Sequence, residues 1–296
     1  MDDVIVSAYA KVNLALDVLG PRGDGYHDLR MVMQTVSLCD TLTLRLSRGG
    51  RENRLTVHTP GAATANLPAD GRNLALAAAN LFLERAGRSD ISVEIFLEKR
   101  IPVCAGLGGG SADAAAVLRG LRDALEPDLP DDVLRAWALE LGSDVPYCVA
   151  GGTRLAEGRG EILTPLPPLP DCYIVICKPD VSVSTREAFA SLPLDAEKPD
   201  IPALIACLEQ GDLRGAAKTM RNVFEPSAAA RHGPLSDIRA ELTRHGALGA
   251  VMSGTGPSML AMYEKKARAE AAEAVLGTIF RETYLCEPKN DTCNNN

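Results

Sequence analysis

The chain has 296 residues, 46% hydrophobic and 24% charged, enough for one large domain or two ordinary ones around a sizeable core. Its formal net charge of −8 argues against broad binding to DNA or RNA, and no apolar run approaches the roughly 18 residues of a membrane span, so neither nucleic acid nor a membrane is an expected partner. The acidic start fits neither a signal nor a transit peptide, and eight scattered cysteines without a CxxC pair argue against a disulfide framework or zinc site, which together predict a cytoplasmic protein with reduced thiols.

Residues 4–9 and 12–18 alternate as strands, followed by a loop at 20–25. Residues 29–38 and 41–46 continue the pattern around a predicted turn at Cys39-Asp40. A helix is expected over 73–86, N-capped by Asn73 and closed by Gly87, and a half-buried strand over 91–97. Ala114, Val117, Leu118, Leu121 and Leu125 share one helix face, and a second helix over 131–141 stops at Gly142. A hairpin surrounds Gly158-Arg159-Gly160. The prolines of 165–170 mark the best internal boundary, separating residues 1–164 from 165–288. Beyond it come a strand at 172–177, several helices, strands at 248–252 and 259–263 around a second glycine loop, a helix at 267–276 and a strand near Tyr284. Residues 289–296 are polar and expected to fray. Strand clusters with helices around them, twice over, indicate an α+β fold of two lobes.

The most informative segment is Pro102, Val103, Cys104, Ala105, Gly106, Leu107, Gly108, Gly109, Gly110, Ser111 and Ala112, with four glycines in five positions. Each glycine costs conformational entropy, so the loop is expected to let another molecule approach the main chain. A Walker loop is excluded because no lysine lies between Arg100 and Lys178, and a dinucleotide fingerprint starting at Gly106 meets Ser111 where it needs Gly or Ala. What those motifs share still applies: freed main-chain N–H groups beside a helix N-terminus form an anion cradle. Ser111, where the helix is expected to open, can cap it or turn toward a phosphate or its Mg2+. The alternative is a tight strand-to-helix connection with no ligand.

Other candidates carry two readings each. Lys11 lies in an apolar strand, where an edge lysine snorkelling to solvent is the commoner explanation. Asp144, between Gly142 and Val145-Pro146, is a turn carboxylate or a functional one. Tyr26 and His27 follow a flexible Gly-rich loop and cover a sheet edge or face a ligand. Phe189 is a core helix residue or an aromatic clamp, and Cys104 a small packing residue or a reactive thiol.

In context, residues 102–115 resemble the phosphate-binding motif of the GHMP kinases. Residues 8–14 (Ala-Tyr-Ala-Lys-Val-Asn-Leu) resemble the N-terminal motif of that family, and residues 251–258 its C-terminal glycine motif. Residues 10–14, 24–29, 141–146 and 156–162 narrow the resemblance to the branch acting on a cytidine-diphosphate-linked polyol, and it covers nearly all but the last ten residues. The resemblance implies a two-lobed α+β GHMP kinase fold with the nucleotide site in the first lobe, and ATP and Mg2+ as cofactors. It implies a small-molecule substrate, cytidine-diphosphate-linked methylerythritol, phosphorylated on its 2-hydroxyl in the non-mevalonate route to isoprenoids by a monomer or weak homodimer.

The same resemblance assigns the residues. Positions 102–112 hold ATP, and Lys11 pairs with Asp144, which accepts or orients the hydroxyl proton. Tyr26 stacks on cytosine, His27 reads its edge, Asn13 contacts base or sugar, Thr185 lines the pocket and Phe189 closes the other face. The loop Ser253-Gly254-Thr255-Gly256 buttresses the first. Two departures stand out: no separate glutamate is placed as a magnesium ligand, leaving Ser111 as the candidate, and Ala112-Asp113 replaces Ser-Asn, so that Asp113 should turn its charge away from the phosphates. A mevalonate or homoserine kinase of the same family, or a silent nucleotide-binding regulator, are the alternatives.

Overall fold

The computed structural model describes residues 3–49, 52–59, 67–192 and 196–290. In chain order its first half comprises β1 (Val4–Pro21), β2 (His27–Arg48), β3 (Arg54–His58), α1 (Leu74–Arg85), β4 (Ile91–Glu98), α2 (Gly109–Leu125), α3 (Asp131–Leu141), α4 (Val145–Ala150), β5 (Thr153–Gly158) and β6 (Ile162–Pro165). The second half adds β7 (Tyr173–Lys178), α5 (Thr185–Ala190), α6 (Ile201–Glu209), α7 (Leu213–Thr219), β8 (Arg221–Asn222), α8 (Glu225–Arg231), α9 (Gly233–Arg244), β9 (Gly249–Met252), β10 (Met259–Tyr263), α10 (Lys266–Ile279), β11 (Glu282–Cys286) and β12 (Pro288–Lys289). One sheet runs β3-β4-β2-β1-β8, with β5 and β12 also paired to β2 and β6 to β5. The other runs β11-β7-β10-β9. This is the α+β, two-sheet architecture expected from the alternation of strand and helix patterns.

Four expectations are corrected. The two strands predicted at each end of Lys11 are one strand, β1, and β2 runs unbroken through Cys39-Asp40. Aspartate favours turns, so Asp40 reads as punctuation, but its side chain is fully buried in mid-strand and satisfied by donors of Lys99, Arg100 and Ile101, just beyond β4. The boundary is less clean than the prolines suggest, because β8 and β12 of the second half join the first sheet. Lys289, expected to fray, pairs with Thr35 in β12, whereas residues 291–296 of the expected tail lie outside the described residues.

The local signals explain the rest. Asn73 caps α1 by accepting from the Ala75 N–H, and Phe82 of that helix is buried edge-on to Trp137 of α3 at 5.7 Å. β1 alternates at first, with Ile5 exposed and Val6 and Ala8 buried, then is buried on both faces from Ala10 to Asp17. α2 covers one face there, and the two glycine loops roof the other. A polar residue on that second face is therefore enclosed rather than solvated. Among the described residues no helix is long and apolar enough to cross a membrane.

Candidate active site

The enclosed part of β1 carries Lys11 and Asn13 between two register shifts, one between Tyr9 and Lys11 and one between Asn13 and Ala15. Such bulges release backbone groups from the ladder and re-aim side chains. The Lys11 N–H donates to the Leu107 carbonyl of the first glycine loop at 3.0 Å, and the Asn13 N–H to Ser253 Oγ of the second at 3.2 Å. Lys11 does not snorkel. Its side chain is 6% exposed, and its Nζ donates to Asn13 Oδ1 at 2.9 Å and lies 3.4 Å from Asp144 Oδ2.

Asp144 is the N-cap residue of α4, a short helix that the sequence reading missed because Val145-Pro146 reads as a turn; proline is equally at home in a first helical turn. The carboxylate makes no side-chain cap bond, and 32% of the side chain is exposed. It is held by Lys11 on one side and open to a cavity on the other.

The glycine loop has a different explanation from the one its composition suggests. Gly106 and Gly108 adopt left-handed φ of 75° and 67°. A Cβ at Gly106 would fall 2.2 Å from the Ser253 carbonyl oxygen, and one at Gly108 2.9 Å from Lys11 Cγ. At Gly109 it would fall 2.9 Å from Lys99 Nζ. Three of the four glycines thus admit the protein's own groups, and only Gly110 is open, its nearest neighbour being Leu74 at 3.7 Å. Cys104 holds a left-handed φ of 53° without being glycine, and its side chain is exposed in the loop.

Residues 102–111 line a cavity of about 630 Å³ together with Leu67, Pro68, Arg72, Asn73 and Leu74. Ala112 is the exception among the predicted cradle residues: it is 1% exposed and its N–H already donates to the Gly108 carbonyl. The helix opens at Gly109, two residues before Ser111, and its N-cap Gly108 supplies no side-chain bond, so the first-turn N–H groups face the cavity uncapped. The second loop braces this one: Ser253 Oγ donates to the Gly106 carbonyl at 2.8 Å, and the Gly254 N–H to Asn13 Oδ1 at 3.1 Å.

Beneath the loop lies a cluster that no sequence signal identified. Lys99 Nζ donates to Asp40 Oδ2 at 2.5 Å and to Asp113 Oδ2 at 2.8 Å, all three side chains at most 4% exposed. Asp40 Oδ1 also accepts the Ile101 N–H at 2.7 Å and the Arg100 N–H. Asp40 therefore has several donors, whereas among the described residues Lys99 is the donor to Asp113 and the Asp113 Oδ1 has no partner. Burial, reinforced by the neighbouring Asp40 charge and only partly offset by Lys99, pushes the Asp113 carboxyl up to about 8. Burial alone would lower Lys99, but the two carboxylates raise it above its ordinary value. The proton belongs on Asp113, the less satisfied acid.

The expected base-binding residues gather at a third place. Tyr26, His27, Thr185 and Phe189 line a cavity of about 640 Å³, also walled by Ser143, Arg159 and Arg186. Tyr26 is 52% exposed, and Phe189 stacks on His27 at 4.5 Å while meeting Phe224 edge-on at 4.8 Å. Asn13 is elsewhere: it is fully buried, and its amide is committed to Lys11, Gly254 and the Met31 sulfur at 3.4 Å. It braces the lysine from behind the pocket wall, whereas the resemblance expects it to contact base or sugar.

A middle cavity of about 500 Å³, lined by Lys11 and Asp144, shares Cys104, Gly106 and Gly108 with the cradle and Leu29 and Phe189 with the aromatic pocket. Thr185 lines all three. The result is one continuous trench with the lysine–aspartate pair at its centre. Among the described residues no group of three or more His, Cys, Asp or Glu is placed to hold a metal ion.

Comparisons with known proteins identify the family. Residues 73–152 match the GHMP kinases N terminal domain and residues 204–281 the GHMP kinases C terminal domain. A 4-diphosphocytidyl-2-C-methyl-D-erythritol kinase of Lachnoclostridium phytofermentans is 42% identical over 289 residues, covering 96% of this chain and 97% of that one. Its counterpart in Exiguobacterium sibiricum is 42% identical over 283 residues, with 95% and 96% covered. A solved 4-(cytidine 5'-diphospho)-2C-methyl-D-erythritol kinase superposes with a TM-score of 0.79 at 32% identity, covering 96% of this chain and 98% of that one. A homoserine kinase of Cytophaga hutchinsonii shares the fold, with a TM-score of 0.79 at 22% identity and 99% and 96% covered. The chain belongs to the GHMP kinases, in the branch of the 4-diphosphocytidyl-2-C-methyl-D-erythritol kinases.

Proposed function

We infer that the chain transfers the terminal phosphoryl group of ATP to the 2-hydroxyl of 4-diphosphocytidyl-2-C-methyl-D-erythritol, the compound in the names of its relatives. The observation that carries this reading is the Lys11–Asp144 pair, 3.4 Å apart, at the junction of an amide-lined cradle and an aromatic pocket. Phosphoryl transfer asks the protein for positioning and charge stabilisation more than for covalent chemistry. The uncapped N–H groups at the start of α2 hold the phosphates. Asp144 accepts or orients the proton of the attacking hydroxyl, and Lys11 fixes that carboxylate while placing positive charge beside the transferred group. Asn13, through Lys11, fixes the direction in which the ammonium points.

In the second pocket Tyr26 offers an exposed ring for the cytosine to stack on, while His27, Thr185 and Phe189 complete its walls. Residues 1–164 and 165–288 make the two lobes, apart from β8 and β12, which complete the first sheet, and the second contributes Thr185, Phe189, Phe224 and the 253–256 loop to the trench. A magnesium ion suits this donor set, since that ion is held mainly by substrate phosphates and waters rather than by a protein cage. Ser111, the only hydroxyl in residues 102–112, is the side chain that would reach it, and the ion would neutralise charge on the phosphates.

The test is an acceptor panel with labelled ATP. Label should enter 4-diphosphocytidyl-2-C-methyl-D-erythritol, on its 2-hydroxyl by NMR, and neither homoserine nor mevalonate. Labelling of either of those two in preference would contradict the assignment.

A further inference from the structure

The turn between β5 and β6 carries Arg159, a residue to which the mechanism above gives no task. β5 pairs with β2 so that Gly158 faces Leu29, which sets the turn against the Tyr26-His27 corner. The Arg159 N–H donates to Glu161 Oε2 at 2.6 Å and holds the turn in shape. The same turn borders Asp144: a Cβ at Gly160 would lie 3.8 Å from Asp144 Oδ1.

The Arg159 guanidinium lies 4.6 Å from the centroid of the Tyr26 ring, on the kind of face a nucleobase stacks upon. Arg186 of α5 lines the same cavity and has no ion-pair partner among the described residues. Among the described residues the lining includes these two arginines and no Asp or Glu; the Asp24 carboxylate, which feels the Arg159 charge, lies outside the lining and is already engaged by Arg22. Two guanidinium groups in a cavity that no described carboxylate lines favour an anion, and arginine matches phosphate oxygens with paired N–H donors.

We propose that Arg159, with Arg186, reads the diphosphate of the second substrate. Its guanidinium, which lies over Tyr26, yields that face to the arriving base and pairs with the phosphates attached to it. The proposal rests on the cytidyl-diphosphate reading of the pocket. It makes Arg159 a specificity residue that favours a charged nucleotide ligand over the bare nucleoside, because only the former compensates the guanidinium for the ring it leaves.

The experiment compares the wild type with Arg159→Ala, Arg159→Lys and Arg186→Ala. Calorimetric titration with cytidine diphosphate and with cytidine reads binding, and steady-state assays read KM for each substrate. In Arg159→Ala, affinity for cytidine diphosphate and KM for the cytidyl substrate should worsen about tenfold or more, as for a lost charged hydrogen bond. Cytidine should bind as well as before or better, since no guanidinium competes for Tyr26, and KM for ATP should not move. Arg159→Lys should recover part of the loss, and Arg186→Ala should give a smaller change of the same sign. Cytidine weakened as much as its diphosphate, or both unchanged, would overturn the proposal. Wild-type protein that binds cytidine diphosphate in this Arg159-dependent way but phosphorylates another alcohol would refute the assigned reaction and leave this inference standing.

Discussion

Lys11 and Lys99 stand against neighbouring glycines of one loop, Gly108 and Gly109, and each meets aspartate, yet their surroundings differ in two ways. Lys11 has one carboxylate, at 3.4 Å, whose side chain is 32% exposed on a cavity. Lys99 has two, at 2.5 and 2.8 Å, both shut away from solvent. A pair open at one end keeps an oxygen for a substrate. The second cluster is buried under the wall of the cradle, and it carries one carboxyl more than its lysine can satisfy. The chemical partner of each lysine decides its task, since both side chains are buried and both flank the phosphate cradle.

The comparison can be broken most forcefully at Lys99. Lys99→Met leaves two buried carboxyls without their cation, and loss of one partner from a buried pair costs about 3–5 kcal/mol. Chemical denaturation should show a loss of that order, while a loss under about 1 kcal/mol would mean that the cluster is not structural. Lys11→Met should act the other way round, lowering kcat about 10²–10³-fold, as for removal of one preorganised donor, with a far smaller change in stability. Equal effects of the two substitutions on stability and turnover would erase the distinction.

Asp113 sharpens it through pH. Its folded-state carboxyl is raised to about 8 from the usual 3.8, so the folded protein holds a proton that the unfolded chain releases. The stabilisation is full below about pH 4 and is lost as pH rises to about 8. Melting temperature should therefore fall across that window in the wild type, and more gently in Asp113→Asn, which cannot ionise. Parallel curves would place the proton elsewhere. The smallest effect is expected at the far end of the trench. Tyr26→Ala should raise KM for the cytidyl substrate about tenfold through lost stacking and leave KM for ATP unchanged; equal changes in both would misplace the base pocket.

Local chemistry made part of this legible. The glycine-rich segment stood out because a helix start with freed amides has few other uses, and its context carried the family. The reason for the glycines did not, because it lies in contacts across the chain: Ser253 against Gly106, Lys11 against Gly108 and Lys99 against Gly109. Asp40 was hidden by its resemblance to a turn residue and Lys99 by its place at the polar end of a strand. Asp113 was noticed as an oddity of charge, but its neutralising partner is fixed only by the fold. Asn13 was assigned to the pocket by resemblance, and its burial follows from two bulges that no pattern in β1 announces. The turn at Arg159 was visible as a hairpin signal, and its position over Tyr26 was not.

The central claim is that Asp144, held by Lys11, handles the proton of the attacked alcohol. Single-turnover transfer from γ-labelled ATP to the cytidyl substrate, measured in the wild type and in Asp144→Asn, tests it directly. The transfer rate should fall by about 10²–10⁴-fold while ATP affinity and melting temperature stay at wild-type values. A variant that transfers label at the wild-type rate would show that the carboxylate has no part in the chemistry.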